Sequence, residues 1–214
     1  MNPPKAARWR RRKDERPTEI LAAALDVFRE RGFAASRLDD VARRAGVSKG
    51  TLYLYFPSKE AIFKELVRKS ILPNIARAEA FARDFPGSPA QLLTQLLTNF
   101  GLQIASDDRL SAFPKLMIAE AGNFPELARF YLTQVIHRAF RLIVRILKRG
   151  VEAGEFPPMN YAATARLAVA PIVFLALWRH SFAAHDGAAP SHESMVRRHV
   201  ELYMAGLAAA GRPS

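Results

Sequence analysis

Residues 38–56 read LDDVARRAGVSKGTLYLYF, and the spacing inside this stretch decides the fold. Leu38, Val41, Ala42 and Ala45 recur at i, i+3, i+4 and i+7, the buried stripe of a short helix. Gly46 suits the left-handed turn that ends such a helix. Ser48 is placed to cap a second helix running to about Tyr55, and Pro57 stops it. Two short helices around a glycine-containing turn make the helix-turn-helix pattern, in which the second helix enters a DNA major groove. On that second helix Leu52 and Phe56 share one side, where with Val47 they close a small core. Lys49, Gly50, Tyr53 and Leu54 spread over the other. Gly50 there costs about 1 kcal/mol of helix propensity relative to Ala, which is explicable if the backbone approaches a phosphate. Outward Tyr53 and Leu54 suit thymine methyls or sugars, and Lys49 and Lys59 suit phosphate oxygens.

Working outward, Ile20, Leu21, Ala24, Val27 and Phe28 predict a first helix that opens at Pro17 and stops at Gly32. Ser58 starts a fourth helix with Glu60 in its first turn. Residues 1–16 are read as a basic flexible arm, because Lys5 to Arg16 holds seven basic and two acidic residues. Arg8, Arg10, Arg11, Arg12 and Lys13 suit a nucleic-acid groove, or else form a solvated tail. The whole chain of 214 residues carries 32 Lys and Arg against 20 Asp and Glu, a net charge of +12. Two thirds of that excess falls in residues 1–72, so the charge sits where the helix-turn-helix is.

The composition excludes several classes of function. Cysteine is absent, which removes disulfide frameworks, cysteine-ligated zinc, iron–sulfur clusters and thiol catalysis. The five histidines have no metal-site spacing. No glycine-rich phosphate loop, nucleophile elbow or supported carboxylate pair occurs, so no catalytic residue, metal or cofactor is assigned and the chain is read as a non-enzyme. The longest apolar run, residues 167–178, contains Pro171 and is flanked by arginines; at twelve residues it is shorter than a bilayer span of about 20. A soluble cytoplasmic protein without a membrane partner is expected.

The segment 20–66 is similar to the N-terminal domain of the TetR family of bacterial transcriptional regulators. Its markers are Phe28, Gly32-Phe33, Val41-Ala42, Ala45-Gly46-Val47, Lys49-Gly50-Thr51-Leu52-Tyr53, Tyr55-Phe56 and Ser58-Lys59-Glu60 followed by Phe63. The resemblance implies an all-α homodimer with DNA-binding heads and a divergent C-terminal domain that binds a small effector and forms the dimer. By position it places Ser36 and Arg37 near the phosphate backbone, and Ser48, Lys49, Thr51, Tyr53 and Leu54 at the bases. Tyr55 and Lys59 take phosphate-contact positions. Arg37 stands where the family often has a small hydroxyl residue, and Leu54 where a polar or larger aromatic residue is common.

Beyond residue 66 the breaks leave helix-sized pieces, for about nine helices in all. The expected organisation is arm 1–16, helix-turn-helix domain 17–66 and helical effector-binding and dimerisation domain 67–214. Residues 166–182 are apolar all round, and a helix of that kind needs covering all round. With the last helix it predicts a two-fold four-helix interface through Leu167, Val169, Ile172, Val173, Met195, His199, Leu202 and Gly206. Residues 125–154 are expected to turn Leu132, Val135, Ile136, Ala139, Leu142, Ile143, Ile146 and Leu147 inward. Gln134, His137, Arg138, Arg141, Arg145, Lys148 and Arg149 form a basic stripe on its other face, read first as a solvated surface and second as a site for an acidic effector. An apolar ligand cavity is expected among Phe100, Ile104, Phe113, Met117, Phe140, Phe174 and Trp178.

These readings converge on a repressor of a palindromic operator, released by a small lipophilic effector. The rivals are a non-specific basic nucleic-acid-binding helical protein and a helical lipid or ligand carrier.

Overall fold

The computed structural model describes residues 5–188 and 190–209, with side chains from Glu15 onward. Among the described residues the chain is all α-helical, without a strand. The head contains α1 (Lys5–Arg31), α2 (Leu38–Arg44), α3 (Lys49–Tyr55) and α4 (Lys59–Ser70). The body contains α5 (Leu72–Asp84), α6 (Pro89–Ser106), α7 (Asp108–Glu120), α8 (Pro125–Tyr131), α9 (His137–Glu152), α10 (Tyr161–Arg179) and α11 (His192–Ala209). Only Ile71 separates α4 from α5, and a π-helical turn over Leu132–Ile136 joins α8 to α9. Among the described residues, counting each of these adjoining pairs as one element gives the nine α-helices expected from the sequence.

The first helix begins earlier than the sequence suggests. Pro17 lies inside α1, whose backbone is helical from Lys5, so residues 5–16 continue the helix instead of leaving it as an arm. Proline removes one backbone donor from the ladder; here the rod continues through it. The side chains of Arg8, Arg10, Arg11, Arg12 and Lys13 lie outside the described residues.

Gly32 (φ 77°) ends α1 and Gly46 (φ 63°) ends α2, both in the left-handed region that glycine enters without strain. Ser48 and Ser58 accept hydrogen bonds from the backbone N–H of Thr51 (3.0 Å) and Ala61 (3.1 Å), fixing where α3 and α4 start.

Phe28, Phe33 and Phe63 stack edge-to-face, with ring centroids 5.0 and 5.6 Å apart, at the centre of the head. The same buried cluster continues into Phe113, Leu116 and Met117 of α7 and Leu127 and Tyr131 of α8. Head and body therefore share one core across the expected boundary at residue 66. A second core, built on Leu92, Leu93, Ile146 and Leu147, packs α6 and α9 with α10 and α11.

The stripe expected for residues 125–154 changes face at the π turn. Tyr131 and Val135 are buried while Leu132 is exposed, because the wider turn rotates the helix relative to a uniform 3.6-residue repeat. α10 is long and apolar enough to cross a membrane by length and composition, longer than the twelve-residue run first suggests. In the fold it packs against α6, α7, α9 and α11.

Candidate nucleic-acid interface

The head's exposed edge is set by how α2 and α3 are pinned. Arg31 and Arg43 pair with Asp40 at 2.9 and 3.3 Å, and Arg44 grips Glu30 through two nitrogens at 2.5 and 2.6 Å. The Arg31–Asp40 and Arg44–Glu30 bridges tie α2 to α1, while Arg43–Asp40 lies within α2. Lys49 pairs with Asp39 at 2.8 Å and ties α3 to α2; the hydrogen bond and charge of that carboxylate hold the lysine's pKa above its ordinary value. Exposed ion pairs stabilise by little each, and their effect here is to orient. Leu52 and Phe56 are buried against the head core, so α3 is fixed in rotation.

With that face anchored, the opposite face of α3 projects into solvent. Leu54 is 84% exposed and Tyr53 45%, two large side chains at adjacent positions turned to solvent. A Cβ built on Gly50 meets only the Ser48 hydroxyl, at 3.9 Å, so no intramolecular contact requires glycine there. Arg37 is exposed at the N-terminus of α2, where it makes no side-chain cap. Lys49, Gly50, Tyr53 and Leu54 thus lie on the solvent-facing side of α3, and Arg37 is exposed at the start of α2.

Other expected contact residues are committed elsewhere. Ser36 is buried, its hydroxyl turned inward to the carbonyls of Gly32 (2.5 Å) and Val27 (3.4 Å), out of reach of a phosphate. Lys59 donates to the carbonyls of Phe33 and Ala34, both at 2.9 Å, and its ammonium lies 4.8 Å from the Phe33 ring centroid. It staples the α1–α2 loop instead of projecting outward. The Ser48 hydroxyl caps α3 and meets the Thr51 hydroxyl at 2.8 Å. Tyr55 is half-buried against the head core.

The body reaches the same loop. Glu120, buried at the end of α7, accepts from the Ala34 backbone N–H at 3.0 Å. The sequence reading missed this contact, which spans 86 residues.

The proposed ligand-lining residues do not share one cavity. Phe113 and Met117 belong to the head–body core, and Ile104 packs with Ile172 and Ala176 beside Phe100. Phe174 and Trp178 form a surface ladder with Phe182, at centroid distances of 5.7 and 5.0 Å. Of these residues only Phe140 lines the groove between α5, α9 and α10, a space of about 410 Å³. Of the five aromatic rings only Phe113 is buried, so aromatic abundance did not mark a single enclosed cavity.

The expected dimer residues divide as well. Leu167 (65% exposed), Leu202 (55%), Met195 and Gly206 lie on the surface, as does Phe174. Ile172 is fully buried inside its own chain, and Val169 and Val173 are half-buried on the flank of α10. The His199 ring is bonded to the Ala168 carbonyl at 2.9 Å.

An all-helical chain presenting a helix-turn-helix from a larger helical body defines a DNA-binding regulator. Two family descriptions match it: "Bacterial regulatory proteins, tetR family" over residues 20–66, and "AefR-like transcriptional repressor, C-terminal domain" over residues 91–208. The chain belongs to the TetR family of bacterial transcriptional regulators. Among its relatives, the repressor KstR2 of Mycobacterium tuberculosis is 31% identical over 146 residues, 68% of this chain and 71% of that protein. The fatty acid metabolism regulator protein of Bacillus subtilis is 29% identical over 145 residues, 67% of this chain and 73% of that protein. Of solved structures, the regulator FadR of Bacillus subtilis in complex with stearoyl-CoA superposes with a TM-score of 0.68 at 21% identity, covering 88% and 98% of the two chains. That likeness establishes the fold.

Proposed function

We propose that this regulator represses transcription in the cytoplasm by binding a palindromic operator as a homodimer, and that a small lipophilic effector releases it. The observation that carries the reading is α3: one face locked into the core, the other offering Lys49, Gly50, Tyr53 and Leu54 to solvent. Tyr53 and Leu54 supply apolar contacts to thymine methyls and sugars. Gly50 admits a phosphate close to the backbone, and Arg37 and Lys49 supply charge. Lys49 must exchange Asp39 for phosphate, so Asp39 tunes how much that contact adds.

The exposed apolar face of α10 and α11, with Leu167, Phe174, Met195 and Leu202, supports a two-fold interface through those helices. Two heads then meet successive major grooves about 34–36 Å apart. An effector acts by preferring a state in which that spacing is wrong. The relatives whose names mention fatty acid metabolism, and the neighbour holding stearoyl-CoA, support a lipophilic effector.

The test is footprinting on the gene's own upstream region. A protected palindrome, preferred over random duplex by about 10³-fold or more, is expected. Uniform weak protection of any duplex would replace this reading with non-specific binding.

A further inference from the structure

The basic stripe noted on residues 125–154 is half of a built groove. His137, Phe140, Arg141, Val144, Arg145 and Lys148 follow one another along a single face of α9, and α10 closes the other side with Ala162, Ala165 and Arg166. The floor is apolar and half-buried at Phe140 and Val144; the rim is cationic except at Glu79 of α5, whose carboxylate also lines the groove and is gripped by Arg138.

Most of the rim has no carboxylate partner, although Arg166 donates to the Ala162 carbonyl at 2.9 Å. Arg138, on α9, is neutralised by a two-point grip on Glu79 at 2.6 and 2.8 Å. Among the described residues, Arg141, Arg145, Lys148 and Arg166 have no carboxylate within ion-pair distance. Arg141 and Arg145 repel at i, i+4, an arrangement that costs helix stability. Arg166 lies over the Phe140 ring, 5.1 Å from guanidinium carbon to centroid, and Lys148 over the Tyr161 ring at 5.7 Å. Both cations are thus held over aromatic faces at the edges of the groove. The hydrogen bond from Arg138 first, then its charge and those of Arg145 and Arg141, hold the Glu79 carboxyl below its ordinary range against the opposing effect of burial.

We infer that the groove between α9 and α10 binds a small amphipathic anion, an alkyl or acyl body bearing a phosphate-type head. The apolar part lies on Phe140 and Val144, and the head sits among Arg141, Arg145, Lys148 and Arg166. A multiply charged head fits four cations better than a single carboxylate does, and arginine grips phosphate through two nitrogens. The volume of about 410 Å³ suits one small molecule. The inference deepens the effector part of the proposed function and rests on it.

Titration calorimetry of the full chain with dodecyl phosphate below its micelle concentration tests it. Saturable binding is expected, with dodecanol and inorganic phosphate each weaker by about tenfold or more, because each lacks half of the recognised chemistry. The double variant Arg141→Gln/Arg145→Gln should lose about tenfold in affinity, while operator binding in a gel shift stays intact. Undiminished binding by that variant would overturn the site. Equal binding of inorganic phosphate would overturn the role of the floor. Binding to anionic phosphatidylglycerol vesicles without binding to monomeric dodecyl phosphate would replace the small ligand with a membrane surface. Failure to bind any operator, with dodecyl phosphate binding intact, would count against the proposed function and leave this site standing.

Discussion

Two residues of the head divide the work of meeting DNA from the work of holding shape. Tyr53 projects from α3 with no buried role, so Tyr53→Ala should leave the melting temperature unchanged. It should cost about 1–3 kcal/mol at the cognate operator and blur sequence preference, read by competition gel shifts. Lys59 is the opposite case. Its ammonium serves the carbonyls of Phe33 and Ala34, so Lys59→Met should destabilise the fold by about 1–3 kcal/mol in denaturant titrations. The slope of operator affinity against salt should stay that of the wild type; a fall of about one would restore Lys59 as a phosphate contact. The sequence placed both residues at the interface because position along a helix is legible from periodicity. The direction a lysine takes is not, since it depends on carbonyls 25 residues away in the chain.

At the scale of elements, close helix crossings decide where glycine is obligatory. A Cβ at Gly101 of α6 would sit 2.4 Å from Val196 Cγ1 of α11, so Gly101→Ala should cost about 1–3 kcal/mol by thermal unfolding. Adding Val196→Ala should return part of that loss; a plainly additive double variant would show that the strain lies elsewhere. Element boundaries in the head were legible from caps and glycines, as Ser48, Ser58, Gly32 and Gly46 show. The face change between α8 and α9 was not, because a π turn has no cap residue and leaves the apolar spacing looking regular. The groove was half legible: Arg141, Arg145 and Lys148 declare a stripe, but nothing local says that Arg166 closes it.

For the whole molecule, His180, like His192, makes folding sensitive to acid, and it does so where three elements meet. His180 Nε2 lies 2.8 Å from the buried Ser111 hydroxyl, and Lys115 donates to the His180 carbonyl. Burial first, then the nearby Arg29, lowers the imidazole's pKa; Arg179 and Lys115 push the same way and Asp108 against them. The unfolded chain therefore takes up the proton first, so stability falls as pH drops below the ordinary imidazole value of 6.5. His180→Gln should flatten the dependence of melting temperature on pH below that value. An unchanged slope would assign it to other groups. The assembly has its own test: Leu167→Glu with Leu202→Glu should give monomers in sedimentation and abolish operator binding, with helicity retained.

The aromatic cluster that runs from Phe28 through Phe33 and Phe63 to Phe113 also limits how this protein can be taken apart. A reader head severed after residue 66 would leave with its keystone missing, and one grafted onto a cousin's trunk would arrive with a socket cut to another shape. Chimeras built from this chain should keep α7 and α8 with the head they came with.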